Sequence, residues 1–476
     1  MTDGSSGGGN VVEQADEFGS SGHAQDGEDG PEIDSLIFTK ANQLRERAHA
    51  LIPGGCHTYA KGDDQYPVLA PGFIARGLGS HVWDVDGNEF IEYGMGNRTV
   101  GLGHAFQPVV EAVQRELAKG CNFTRPAAIE VAAAEQFLGL IKTAEMVKFC
   151  KDGSDATSGA VRLARAYTGR DLIAICGDHP FFSVDDWFIG TTAINAGIPQ
   201  ATQALTVKFR YNDIASVKAL FERYPGQIAA CILEPERTEP PRDNFLEELR
   251  RVCHEDGALL IFDEMVTGFR WHNAGAQGLH GVTPDLSTWG KAMGNGFAVS
   301  ALAGKREFMR LGGLDHYDKP RVFLLSTTHG AETHALAAAI ATIRTYRQEA
   351  VVEHLYRQGT RLKTECEQVI RRHGLSEHVR IIGKPCCLFY ATLDADKASS
   401  QAFRTLFLQE TIRRGVLVPS LVVSYAHADD DIDRTIAAID GALAVYKRAL
   451  DEGVERYLVG RPSQIVYRHY NRPDPA

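Results

Sequence analysis

Several polar residues stand where apolar runs stop. Val147–Cys150 leads into Lys151-Asp-Gly-Ser-Asp-Ala-Thr157, and Ala229–Leu233 ends on Glu234. Leu259–Phe262 ends on Asp263 and Glu264, and Asp285-Leu-Ser-Thr-Trp-Gly290 leads to Lys291 and a glycine-rich bend ending at Gly296. Gly153 lets backbone come close to a ligand, and Ser154 offers a hydroxyl. A helix starting there presents unpaired N–H groups and a positive dipole end, which suits a phosphate. A carboxylate closing an apolar strand is costly unless a cation meets it. Taken singly these features are bland: glycine with a capping serine starts many ordinary helices, and most lone lysines are surface residues.

Together, a phosphate site, a carboxylate and an amine are the set that pyridoxal phosphate chemistry requires. A lysine forms a Schiff base with the aldehyde. A carboxylate keeps the pyridinium nitrogen protonated so that the ring draws electrons. Lys291 and Asp263 are the candidates for these roles, with Gly153 and Ser154 at the phosphate and Glu234 as a further polar strand end at the cofactor site. Glu264 points to the opposite face and is expected to be structural, capping a turn or pairing with Arg270.

These side chains must be positioned by a scaffold, and the pattern around them is α/β. Val147–Cys150, Leu172–Ile175, Ala229–Leu233 and Leu259–Phe262 read as buried strands, alternating with helices over Ala156–Tyr167 and Phe245–Asp256. Near-continuous apolar strands in a βαβ rhythm predict a mostly parallel sheet covered by helices. In such sheets ligands collect beyond the carboxyl ends of the strands, where the residues above lie. Upstream, Phe38–Leu51 has helical spacing, stopped by Pro53-Gly54-Gly55, and Pro108–Leu117 returns to it. His81–Tyr93 reads as a hairpin around Asp86-Gly87-Asn88. A long helical pattern runs from about Ala335 to Arg372. A smaller α+β unit follows, with strands near Val379–Ile382 and Cys387–Ala391 and a closing helix from about Asp431 to Asp451. The expected divisions are a disordered tail at 1–34, an N-terminal segment at 35–100 that joins the small domain and the active-site wall, a large cofactor-binding domain at 101–345 and a small domain at 346–476.

Composition excludes several classes. The 476 residues are 44% hydrophobic and 23% charged, an ordinary globular balance. The formal charge is −11, but the first 34 residues hold nine acids and no Lys or Arg, so removing those nine leaves −2 for the rest. That near-neutral body gives no footprint for nucleic acid. The Gly-, Ser- and acid-rich tail lacks the large apolar side chains that would offset ordering. Nine cysteines form no C-x-x-C pair, and no apolar leader precedes them, which points to a reduced, cytoplasmic protein. Cys386 and Cys387 are adjacent and read as two buried thiols; no metal site is expected. No apolar run reaches the ~20 residues of a membrane span.

The succession Gly-Ser-Asp-Ala156, Arg162-Leu-Ala-Arg-Ala-Tyr-Thr-Gly-Arg170, Leu-Glu-Pro235, Phe-Asp-Glu-Met-Val-Thr-Gly-Phe-Arg270 and Ser-Thr-Trp-Gly-Lys-Ala-Met-Gly-Asn-Gly296 resembles the class-III, fold-type I pyridoxal phosphate aminotransferases. The similarity is greatest to the glutamate-1-semialdehyde 2,1-aminomutases and their aminotransferase relatives, and it spans nearly all of the chain after the tail. The resemblance implies a large domain with a mostly parallel sheet plus a smaller α+β domain. It makes Lys291 the Schiff-base lysine and Asp263 the partner of the ring nitrogen. Met265 stands where a branched aliphatic usually packs beneath the ring, and Asp155 where the family has Glu. Thr328 is matched to a hydroxyl that reaches the phosphate of the other subunit, which implies a homodimer with shared sites. The family's Tyr-His-Gly, whose ring stacks on the cofactor, is absent; His179-Pro-Phe-Phe-Ser183 stands there, and Phe181 or Phe182 is the substitute.

On the substrate side the sequence departs from the aminomutases. Lys61 stands where they place an arginine for the substrate carboxylate, and a lysine is no bidentate fork. Their Phe-Glu-Ala-Gly loop is missing, since Pro419-Ser-Leu421 runs straight into Val422-Val-Ser424. Arg98 supplies a different anion contact. The expected reaction is therefore transfer from an amino-acid donor to a separate carbonyl acceptor such as a keto-sugar, a nucleotide sugar or a natural-product carbonyl. The alternatives are intramolecular aminomutase chemistry, another pyridoxal phosphate reaction such as racemisation or decarboxylation, and a non-catalytic regulatory protein. A nicotinamide dehydrogenase would want G-x-G-x-x-G after its first strand, which Asp152–Ala156 does not provide.

Overall fold

The computed structural model describes residues 36–471. The expectation of a disordered tail at 1–34 lies outside them. The centre of the molecule is a seven-stranded sheet made of β1 (Met146–Cys150), β2 (Leu172–Cys176), β3 (Thr206–Phe209), β4 (Ile228–Leu233), β5 (Leu259–Asp263), β6 (Leu286–Trp289) and β7 (Ser300–Gly304). Their order in space is β1-β7-β6-β5-β4-β2-β3. All neighbours run parallel except β7, which is antiparallel to both β1 and β6. Every residue of β4 and β5 is buried. That is the environment their unbroken apolar runs require, because helices cover both faces.

The antiparallel strand β7 was not expected. Its sequence, Ser-Ala-Leu-Ala-Gly, is made of small residues with little β propensity, and pairing on both edges holds it. The helical pattern after Ala335 resolves into two helices, Thr333–Gln348 and Val351–Arg372. They part at Glu349 and Ala350, whose backbones leave helical geometry without any Gly or Pro to mark the break.

The N-terminal hairpin forms as expected. Ile74–Leu78, His81–Asp84 and Glu89–Glu92 pair antiparallel, and Val416–Leu417 adds in parallel to the last of them. Asp84 Oδ1 accepts hydrogen bonds from the Asp86 and Asn88 amides, which fixes the turn. Ser80 donates to Asp431, the His81 ring bonds the same carboxylate, and the Tyr93 and Thr435 hydroxyls bond each other. Early strands and the last long helix, Asp429–Glu452, are thereby fastened together. Val379–Lys384 and Cys387–Thr392 form a separate antiparallel pair. Cys386 and Cys387 are both buried free thiols. Among the described residues no helix is long and apolar enough to cross a membrane.

Candidate active site

The carboxyl ends of β1, β4, β5 and β6 bring most of the sequence-selected residues together. Asp263 closes β5 and is 3% exposed. Its Oδ1 accepts from the Met265 amide at 3.0 Å and from Thr288 Oγ1 at 3.1 Å, while Oδ2 has no hydrogen-bond partner among the described residues. Burial pushes its pKa up to about 7, with Glu234 adding to the rise and Lys291 opposing it. A carboxylate held this way accepts a cation readily, since the cation removes the penalty that burial imposes.

Lys291 follows β6 and Gly290. Burial holds its amine below the usual lysine range, with Asp263 and Glu234 pulling upward and Arg98 and Arg237 pushing down. Its φ of 45° puts it in the left-handed region, a strained setting for a side chain with a Cβ. Glu234, at the end of β4, is raised by burial, but Arg237, His179 and Lys291 outweigh that and hold it below the usual carboxylate range. Arg237 Nη1 donates to Glu234 Oε1 at 2.7 Å, and Oε2 is buried without a partner.

Met265 packs between two glycines. A Cβ on Gly153 would meet its Sδ at 3.0 Å, and one on Gly290 would meet it at 2.7 Å. The Met265 side chain thus fills the space that both glycines leave open. Ser154 is buried in the first turn of the helix Gly153–Thr168, and its Oγ accepts from the Val184 amide at 3.0 Å, leaving the hydroxyl hydrogen to donate. Asp152 caps this helix, accepting from the Ser154 and Asp155 amides at 2.8 and 3.0 Å. A phosphate at this helix end would share those amides with a carboxylate.

The set fits the predicted heteroaromatic phosphate. There is an unpartnered carboxylate oxygen for a ring N–H, an amine at the neighbouring strand end, and a helix N-terminus with a hydroxyl donor. A side chain on Gly153 or Gly290 would press into the Met265 thioether that lines the same place.

The remaining expected residues make contacts of their own. Phe182 is in the core with Trp187 and Phe188, and Phe181 is exposed, edge-on to Phe188. The ring that reaches the charged cluster is His179, whose Nδ1 accepts from the Glu234 amide at 3.1 Å. Thr328 is exposed on the loop before the helix Thr333–Gln348, and its carbonyl accepts from Asn122. Lys61 is exposed on the wall of a cavity of about 570 Å³ formed by the N-terminal segment. Arg98 stacks over Phe389, 4.8 Å from the ring centroid, and Arg237 approaches the same ring at 5.9 Å. Glu264 does not pair with Arg270. It accepts from Thr267, Ala276 and Gln277, the turn-capping role, while Arg270 donates to the carbonyls of Cys386 and Val423.

Sequence reasoning passed over His179 and Arg237. Each had a signal: a ring two residues beyond the glycine that follows β2, and a guanidinium three residues after a strand-ending glutamate.

The class-III aminotransferase model matches residues 59–443. A glutamate-1-semialdehyde 2,1-aminomutase of Bacillus cereus (strain ATCC 10987 / NRS 248) is 34% identical over 433 residues, spanning 86% of this chain and 99% of the relative. Among solved structures, the pyridoxal-phosphate form of the Sphingopyxis sp. MTA144 FumI protein superposes with a TM-score of 0.80 at 30% identity, covering 87% of this chain and 98% of that one. An omega-transaminase from Sphaerobacter thermophilus superposes with a TM-score of 0.77 at 26% identity, covering 86% and 98%.

Proposed function

This chain belongs to the class-III aminotransferase family, and we propose that it moves an amino group from an amino-acid donor to a separate carbonyl acceptor. Its cofactor is pyridoxal phosphate, which when bound supplies a ring that takes up the electron pair released at the substrate's amine-bearing carbon.

In this reading Lys291 Nζ would hold the cofactor aldehyde and, when free, would take and return the proton at the donor α-carbon. An amine kept below its ordinary pKa by burial is suited to that work, because it gives up its proton more readily than an exposed lysine. Asp263 Oδ2 holds the proton on the ring nitrogen. Gly153 and Ser154 bind the phosphate, assisted by Thr328 of a second copy in a homodimer. Met265 and His179 would line the place the ring takes. Glu234, fixed by Arg237, orients the amine of Lys291 or of the incoming donor.

The observation that favours an external acceptor over internal transfer is the path of residues 418–424. Val418, Leu421, Val422, Val423 and Ser424 are fully buried. Leu421 donates to the Leu388 carbonyl and Val422 to the Tyr93 carbonyl. A segment tied down on both sides leaves no room for the gating loop that the aminomutase resemblance calls for. The aminomutase reading is supported by the name of the 34%-identical Bacillus relative, so the test must separate the two. The purified protein is titrated with glutamate while the visible absorption of the bound cofactor is followed, beside Lys291→Ala. Loss of the band on adding glutamate, restored by a carbonyl acceptor, supports the external reaction. Complete conversion of glutamate semialdehyde to aminolevulinate with no donor present overturns it.

A further inference from the structure

Arg98 and Arg404 line one small cavity of about 190 Å³, together with Asn97, Tyr66, Phe389 and Ser420, and no acidic residue lines it. That volume equals roughly six water molecules, enough for a carboxylate or phosphate group and a short piece of carbon chain. Neither guanidinium has a carboxylate partner among the described residues. Arg98 Nε is buried with no hydrogen bond at all. Arg404 touches only the Gln65 carbonyl, Ser463 Oγ and the Pro419 carbonyl, at 3.4, 3.4 and 3.5 Å, the outer edge of hydrogen-bond range. Arg170 and Arg414, also half-buried, are neutralised by Asp256 at 2.8 Å and Glu410 at 2.9 Å. Arg98 and Arg404 have no such partner and face one cavity without an acidic lining, so they repel each other until an anion enters.

A strained turn, closed by hydrogen bonds, positions Arg98. Met95, Gly96, Asn97 and Arg98 have φ values of 44°, 57°, 59° and 71°, one left-handed turn in which only one residue is glycine. Such a conformation is unfavourable for residues with a Cβ. Arg98 N bonding Gly94 O, Val100 N bonding Met95 O and Thr99 Oγ1 bonding Gly96 O hold the turn closed. The turn sets Arg98 over Phe389, whose face the Arg237 guanidinium also approaches. Arg98 and Arg237 both act electrostatically on the Lys291 amine, and Arg237 bonds Glu234 at 2.7 Å. Tyr66 adds a hydroxyl that burial and Glu92 keep protonated, its pKa pushed up to about 12.

We propose that Arg98 and Arg404 form a binding site for the distal anionic group, carboxylate or phosphate ester, of the substrate whose reacting end lies at Lys291. The naming of that anion as part of a substrate rests on the amino-transfer reading; the existence of the site does not.

The test is calorimetric titration of the cofactor-loaded protein, whose phosphate cradle is already filled, with glutarate and separately with inorganic phosphate. The titrations are repeated on Arg98→Gln, Arg404→Gln and Arg404→Lys. At least one of the two anions binds the native protein, and which one it is distinguishes a carboxylate from a phosphate terminus. Each Gln variant weakens that binding about tenfold or more, and Arg404→Lys weakens it less. An unchanged cofactor absorption band and unfolding midpoint show that each arginine variant is folded. Binding of neither anion, or binding that survives both Gln substitutions, overturns the site whatever the protein's activity. Anion binding lost in the Gln variants of a protein that shows no donor-dependent change in its cofactor band upholds the site and refutes the transaminase reading instead.

Discussion

Replacing Asp263 by Asn tests the electrostatics of the site without relying on turnover. In the cofactor-free protein Asp263 has a pKa of about 7, against an ordinary value of 3.8. A carboxyl raised on folding keeps a proton that the unfolded chain has already released. Native protein therefore binds more protons than unfolded protein between about pH 4 and pH 7, and stability falls as pH rises through that window. At about 1.4 kcal/mol per pKa unit the buried charge costs roughly 1–2 kcal/mol at pH 5 and about 4 kcal/mol at pH 8. Asparagine keeps an acceptor for the Met265 amide and Thr288 Oγ1 and has no charge to bury. Urea unfolding of the cofactor-free proteins should show Asp263→Asn more stable than native, with the gap widening by about 2–3 kcal/mol from pH 5 to pH 8. Glu264, also raised to about 7, is present in both proteins and cancels. Saturating pyridoxal phosphate should reverse the order, because only the native carboxylate gains a cation. A gap that stays constant with pH, or a cofactor that stabilises both proteins equally, would refute this account of why the strand ends in a carboxylate.

The ring assignments separate by readout. His179→Ala should weaken pyridoxal phosphate binding about tenfold while the unfolding midpoint of the cofactor-free protein moves little. Phe182→Ala should cost about 3–5 kcal/mol of stability, with cofactor absorption restored wherever the protein remains folded, and Phe181→Ala should change neither; a cofactor-binding loss confined to Phe181→Ala would reinstate that residue. Glu264→Ala leaves the Ala276 and Gln277 amides buried without an acceptor, and at pH 6, where this carboxyl is mostly protonated, it should lower the unfolding free energy by about 3 kcal/mol. Glu264→Gln, which keeps the volume and one acceptor oxygen, should lose less, and equal losses in the two variants would show that neither the volume nor the single retained acceptor supports the turn.

The strand ends were readable because parallel strands buried on both faces are written as plain apolar runs, so the first polar residue marks the edge of the sheet. Asp263, Lys291, Glu234 and Gly153 all stood out for that reason. Strand β7 did not, since two neighbours hold Ser-Ala-Leu-Ala-Gly in place and its own side chains say little. The position of His179 beside Glu234 was not legible because the resemblance pointed to a carbocyclic ring at Phe181 or Phe182. Whether two phenylalanines face a cleft or a core depends on where Phe188 and Trp187 pack, which no local pattern encodes. Arg404 was beyond reach for a related cause. It lies within the helix Gln401–Ile412, and only the tertiary fold brings it to Arg98.

The pairing of Val416–Leu417 with Ile91 and Glu92 has a consequence for how the protein is made. A ribosome exposes the N-terminal hairpin early, yet the edge that completes its sheet is synthesised near the end. So is Asp431, which binds Ser80 and His81. The seven-stranded sheet, whose strands all lie between Met146 and Gly304, can close on the nascent chain while the hairpin still lacks its edge partner. A message truncated before Val416 would then yield a chain whose hairpin keeps an open sheet edge and lacks the carboxylate that Ser80 and His81 bind, a template for pairing with another chain.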